Sequence, residues 1–211
     1  MKAKLLLYCM LAATSLGIIC ACATTTLRSV WEDKSYQGGP FRKVLIIGVF
    51  QEQEAERFFE DEFVREMREK GIDAVPGYKI IPEDAMVKQE MMANIGQMGQ
   101  EVVAKVNKMG IDSVLVARLV DIRNAGGFDT YPSYVQTGQS AAKYLSYYVM
   151  CCESTVTPGY EVAFESKVFE VKSDRLVWSA LSRTSFEKSL ENTITSFIPY
   201  VIEDLHNKKL I

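Results

Sequence analysis

Residues 43–50 read Lys43-Val44-Leu45-Ile46-Ile47-Gly48-Val49-Phe50, KVLIIGVF. Apart from one glycine, every position after the lysine is apolar, and β-branched residues dominate. A strand with one wet face alternates polar and apolar residues, so this run predicts a strand buried on both faces. Such a strand needs helices above and below it, and the downstream chain supplies them. From Glu52 to Lys70, Ala55, Phe59, Phe63 and Met67 recur at i+4 with Phe58 beside them, the apolar stripe of a helix. Glu52, Glu54 and Glu56 crowd its first turns, where the helix dipole favours them, and Gly71 ends it. Ile72 to Ile81 reads as a second strand bent at Pro76-Gly77, and the proline assigns it to an edge or a bulge. A helical stretch from Pro82 to Met109, interrupted near Gly96, carries Met91, Ile95, Met98, Val102, Val106 and Met109 on one face, and Gly110 stops it. Ile111 to Ile122 is a third strand. Strand, helix, strand, helix, strand is the pattern of parallel βαβ units.

Beyond residue 122 the pattern changes. Asn124 to Ser140, NAGGFDTYPSYVQTGQS, is a loop longer than most connections in compact domains. Three β segments follow, at Tyr144–Thr155, Tyr160–Val171 and Arg175–Phe186. They are separated by the turn signals Pro158-Gly159 and Lys172-Ser173-Asp174. Short connections require antiparallel neighbours, so these segments form a meander. The last element, from Leu190 to about Lys208, is a helix capped by Ser189, with a stripe of Leu190, Ile194, Phe197, Ile198, Val201, Ile202 and Leu205. The expected fold class is α/β. It comprises a single mixed sheet of about six strands, a βαβαβ unit followed by an antiparallel meander, covered by helices and ending in a C-terminal helix. Residues 43–211 are expected to form one domain.

Upstream, residues 22–42 lack a sustained period and contain a Gly38-Gly39-Pro40 break, and are expected to form a tether with Trp31 and Tyr36 docking back on the domain. Residues 1–21 have the layout of a cleaved export signal. Lys2 and Lys4 give a positive start, Leu5 to Ile19 an uncharged apolar core, and ICACA a small-residue close. The apolar run is shorter than the roughly 18–20 residues that span a bilayer. Cys20 is preceded by the bulky Ile19, whereas Cys22 is preceded by Ile19-Cys20-Ala21, which resembles the lipobox of bacterial lipoproteins. That resemblance implies processing and lipidation at Cys22, the alternative being an ordinary secretory signal cleaved nearby. Ala23 follows the cysteine where an aspartate would signal inner-membrane retention, which points to the periplasmic face of the outer membrane.

Removing 21 of the 211 residues takes away Lys2 and Lys4 and moves the formal charge from −3 to −5. An acidic chain without a basic cluster is unsuited to nucleic acid and to electrostatic adhesion to anionic lipid. Of the five cysteines, only the adjacent pair Cys151-Cys152 remains in the domain without a lipid. Neighbouring residues of a strand point to opposite faces, so this pair is expected as one buried and one half-exposed thiol, the alternative in an oxidising compartment being a strained, labile vicinal disulfide.

The segments KVLIIGV, FEDEF, VPGYKIIPED, GIDSVLVARLVDI, TPGYEVAFESKVFEV and DRLVWSALSRT follow the lipobox in that order. Together they resemble a group of uncharacterised lipoproteins of Gram-negative bacteria. In outline the chain is similar to the amino-terminal α/β domain of the TolB translocation protein and to the curli-secretion lipoprotein. That resemblance covers essentially the whole chain after the signal, and it implies fold and location more than an activity. The chain has no room for TolB's propeller and no evident membrane-barrel hairpins.

Catalytic signals are sparse. His206 is the sole histidine, so a multi-histidine zinc site is impossible and a nucleophile–histidine relay has one candidate at the end of the last helix. No enzyme activity, metal or cofactor is expected. Glu60-Asp61-Glu62 is the densest acidic run, and consecutive helical positions fan it around the axis as a solvated face. Arg118 interrupts an apolar strand. It is a candidate for binding an anion at the sheet's carboxyl edge, or else a side chain that reaches water past an edge or pairs with a helix carboxylate. Phe128, Tyr131, Tyr134 and Tyr144, with Tyr147 and Tyr148 nearby, make the 124–148 region the candidate recognition surface, because tyrosine joins apolar area to a polar tip. The expected function is a lipid-anchored envelope module that binds or assembles with an envelope protein or its own copies. Carriage of a small ligand or glycan near Arg118 is the alternative.

Overall fold

The computed structural model describes residues 25–50, 52–81, 101–121, 161–185 and 189–211. Among them runs one six-stranded sheet in the order β1-β6-β5-β4-β2-β3. Its strands are β1 (Thr25–Glu32), β2 (Lys43–Val49), β3 (Asp73–Pro76), β4 (Ser113–Asp121), β5 (Glu161–Glu170) and β6 (Arg175–Ser185). The helices are α1 (Gln53–Glu69), α2 (residues 101–108 of the described chain) and α3 (Leu190–Asn207), and Gly77–Lys79 forms one 3-10 turn after β3. The fold is α/β with a single mixed sheet, as the residue pattern implied.

Strand β2 justifies that expectation directly. Six of its seven residues are buried, and it pairs in parallel with β3 on one side and β4 on the other. Pleating sends Val44 and Ile46 to one core and Leu45, Ile47 and Val49 to a second. The first core lies under α1 and α3, where the rings of Phe164 and Phe197 stack at 4.4 Å and Phe59 joins them. The second lies under α2, whose Val102 and Val106 meet Ile111, Val114 and Val116. β4, β5 and β6 are successive antiparallel neighbours. α1 ends before Gly71, whose φ of 81° favours a residue without a side chain. Ser189 caps α3 by accepting from the Asn192 N–H at 3.2 Å. Pro76 lies in the terminal strand of the described sheet, where a missing donor costs least.

One expectation is overturned. Residues 25–42 are not a free tether, because Thr25–Glu32 is a sheet strand paired antiparallel with β6. Its register and polarity explain why the sequence shows no period there. It covers one end of the sheet with mostly exposed side chains, and one extra residue between Arg28 and Trp31 breaks the alternation. Thr25 is nonetheless buried. Its hydroxyl meets that of Thr184 at 2.9 Å and donates to the Ser196 carbonyl at 3.3 Å. The chain after β1 is held too: Asp33 N–H donates to the Val177 carbonyl, Phe41 N–H donates to the Leu210 carbonyl, and Tyr36 packs on Phe41. Trp31, expected to dock back, is exposed. Tyr144–Thr155, much of the 82–109 helical stretch, and Cys151-Cys152 lie outside the described residues.

Thr25→Val tests this arrangement, because it removes one member of a buried hydroxyl pair. The expected loss is about 1–3 kcal/mol in urea-unfolding free energy of the domain, and a residue in a free tether gives no change.

Candidate functional site

The carboxyl ends of parallel strands are where open α/β sheets usually take ligands. At the ends of β2 and β3 the position is filled by the protein's own carboxyl group. Glu60 projects from α1, only 1 % exposed. Its carboxylate accepts the Gly48 N–H at 3.0 Å and the Tyr78 N–H at 2.9 Å, and also the Gly77 N–H. These donors come from the end of β2 and from the 3-10 turn after β3, so one side chain closes the helix onto two strands. The glycines make room for it. A Cβ on Gly77 would stand 2.8 Å from the Glu60 carboxyl oxygen and 3.0 Å from the Ile46 carbonyl oxygen. A Cβ on Gly48 would meet the Phe59 ring at 2.8 Å.

Burial pushes the Glu60 carboxyl up to about 8, with the neighbouring Glu56 adding to the rise and the backbone donors opposing it. Desolvation of a charge in an apolar layer therefore outweighs the N–H groups that would favour it. Glu56 is itself buried one helical turn earlier, and Glu56, Glu60 and Val64 form a buried i, i+4 row along α1.

This corrects the reading of Glu60-Asp61-Glu62 as a solvated face. The three side chains do fan out, but each meets a different fate. Glu60 is enclosed, Asp61 accepts from the Tyr78 hydroxyl at 2.7 Å, and Glu62 pairs with Arg65. They do not converge. The signal that sequence reasoning missed is the spacing of Glu56 and Glu60 against the apolar Val64, which continues their row into the core.

Arg118 has an equally definite place. It stands opposite Glu165 in the β4–β5 ladder and donates from Nε to the Glu165 carboxylate at 2.6 Å. Lys167, two residues along β5 on the same face, meets the other Glu165 oxygen at 2.8 Å. Lys167 is 1 % exposed, whereas Arg118 retains partial access to water. The three lie on the sheet face opposite α1 and α3, in the layer that includes Val116 and Phe169. An arginine with a carboxylate pressed against it is first a structural cation, and the partner is not the expected helix carboxylate but Glu165 of strand β5. The pattern Glu165-x-Lys167 gives no warning, since alternating charge on a strand ordinarily marks a wet face.

Cys22, Phe128, Tyr131, Tyr134, Tyr144, Tyr147 and Tyr148 lie outside the described residues. His206 is exposed near the end of α3. Among the described residues no group of three or more metal-ligating side chains gathers, and no helix is long and apolar enough to cross a membrane.

Two measurements probe these charges. Glu60 has its folded pKa raised above the ordinary carboxyl value of 4.5 to about 8, so the native state binds the extra proton between those limits. Its contribution to stability is complete below the ordinary value and is lost as pH rises through about 8. Unfolding free energy is expected to fall across this window in the wild type. Glu60→Gln removes the slope and lowers stability at pH 5, because an amide N–H₂ then faces a backbone N–H. Glu165→Gln leaves buried Lys167 beside Arg118 without its carboxylate. An expected loss of about 3 kcal/mol or more in chemical denaturation exceeds that of Arg118→Met, whose head group reaches water.

No protein-family model and no curated protein sequence matches the chain. Solved structures do. The PelC dodecamer from Paraburkholderia phytofirmans aligns with a TM-score of 0.47 and 15% identity, covering 86% of this chain and 97% of that one. A point variant of the same dodecamer, in another crystal form, aligns at 0.44 and 16%, covering 86% and 98%. Lipoprotein GNA1162 from Neisseria meningitidis aligns at 0.35 and 11%, covering 79% and 96%. At these scores the likeness is one of general outline and assigns no function, and the resemblance to TolB rests on the order of sequence segments alone.

Proposed function

We propose that this protein is a lipid-anchored, non-enzymatic module of the bacterial envelope, acylated at Cys22 and held at the periplasmic face of the outer membrane. The observation that carries the proposal is the junction between the lipobox and the domain. Thr25, three residues after Cys22, is already buried in the sheet. Three Cα–Cα steps reach at most about 11 Å, so lipid on Cys22 keeps the domain against the bilayer.

The internal chemistry supports a binding or assembly role over catalysis. Glu60, Asp61, Glu62 and Arg118 are each engaged with groups of the fold, and no pair of them meets across a cleft. The partner is an envelope protein or another copy of the chain, and the 124–148 region with Phe128, Tyr131, Tyr134 and Tyr144 is the proposed contact. Carriage of an anionic ligand loses its main support, because Glu165 already holds Arg118.

Palmitate labelling with membrane fractionation is the test. Wild type and Cys20→Ala are expected to take up label and sediment with outer membranes, while Cys22→Ala loses the label and becomes soluble. Label lost only in Cys20→Ala would move the site, and an unlabelled wild type would end the proposal.

A further inference from the structure

Strand β1 does something unusual at its far end. Two consecutive residues, Val30 and Trp31, are both exposed, Trp31 at 45%. In a regular strand neighbours point to opposite faces, and the inner face here lies against α3, where Thr25 is buried. The irregularity is a one-residue bulge. Arg28 stands opposite Leu181 and Trp31 opposite Ser179, three positions against two, with Ser29 in the left-handed region at φ 49°. Bulges re-aim side chains and also spoil an edge for pairing with a further strand. This one turns an aromatic side chain outward on the same face as Thr26 and exposed Arg28. It does so on the edge strand that begins three residues after Cys22.

We infer that the exposed face of β1 lies along the lipid bilayer, with Trp31 and Val30 as a second membrane contact about 17–20 Å along the strand from Thr25. The inference rests on lipidation at Cys22 as proposed above. A single anchor leaves the domain free to pivot. A second contact at the opposite end of the same strand fixes the sheet edge parallel to the membrane. Tryptophan suits the headgroup level, where its ring is in apolar surroundings and its N–H is wet. Pairing with a second copy along β1 is disfavoured by the bulge.

The chain has two tryptophans, and the other, Trp178, is fully buried with its Nε1 donating to Asp204 at 2.8 Å. That makes fluorescence the natural test. Full-length acylated protein is reconstituted into phosphatidylethanolamine–phosphatidylglycerol vesicles in which lipids brominated near the headgroup replace the ordinary ones. The wild type is expected to lose the Trp31 share of its emission, whereas Trp31→Ala, with an unchanged melting temperature, shows no bromine-dependent loss. Palmitate label and vesicle flotation are read on the same samples. Labelled, floating protein without quenching overturns this inference and leaves the anchor standing, while absence of label overturns both. Quenching that persists in Trp31→Ala overturns the inference too. So does a Trp31 emission shift that follows protein concentration in detergent, which would assign the surface to a second copy.

Discussion

Strand β2 has no side that can meet water. Each alternate residue enters a different core, and a run of aliphatic side chains at the centre of a sheet requires cover above and below. The rest of the architecture follows from that constraint. α1 and α3 close one face around Phe59, Phe164 and Phe197, and α2 closes the other around Val102 and Val106. Parallel pairing on both sides of β2 forces crossover connections, and these bring α1 over the ends of β2 and β3.

That same geometry explains the two charged clusters inside the fold. A crossover helix that packs tightly on strand ends covers backbone N–H groups that water would otherwise satisfy, and such groups cannot stay unpaired at low cost. Glu60 answers them from within α1, and the glycines at 48 and 77 let its carboxylate approach. On the opposite face Glu165 compensates Lys167 and Arg118 at once. Glu60 thus occupies the ends of β2 and β3, where open α/β sheets usually take ligands, and Glu165 is committed to Lys167 and Arg118. The segment 122–160 leaves from Asp121 and returns at Glu161. The register places Asp121 in one row with Val162, Thr184 and Thr25. Its departure point therefore sits at the same end of the sheet as the segment leading to Cys22.

Much of this is legible in the residues because local chemistry sets it. The both-faces-buried strand, the i+4 stripe and Gly71 stop of α1, the Ser189 cap of α3, the terminal position of the proline-bearing β3 and the antiparallel hairpin of β5 and β6 all follow from side-chain periodicity, capping and turn chemistry over short windows. The residues pointed to Tyr144–Thr155 as the other neighbour of β5, and the structure puts β4 there. The lipobox is likewise a local pattern. The misreadings share one cause. β1 reads as tether because its bulge and wet outer side erase alternation, and its pairing partner is about 150 residues away in sequence. Glu60 and Lys167 look like surface charges because burial depends on which element covers them.

By itself, then, the sequence determined the α/β class, the order of the central elements and the candidate anchor at Cys22, since each depends on contacts within a few residues. Only the tertiary structure decided that the chain after the anchor is a sheet strand, that Glu60 is a buried clasp and that Arg118 is a partnered cation. Those outcomes depend on pairing and cover between segments far apart in the chain, and no local pattern encodes the free energy of such contacts.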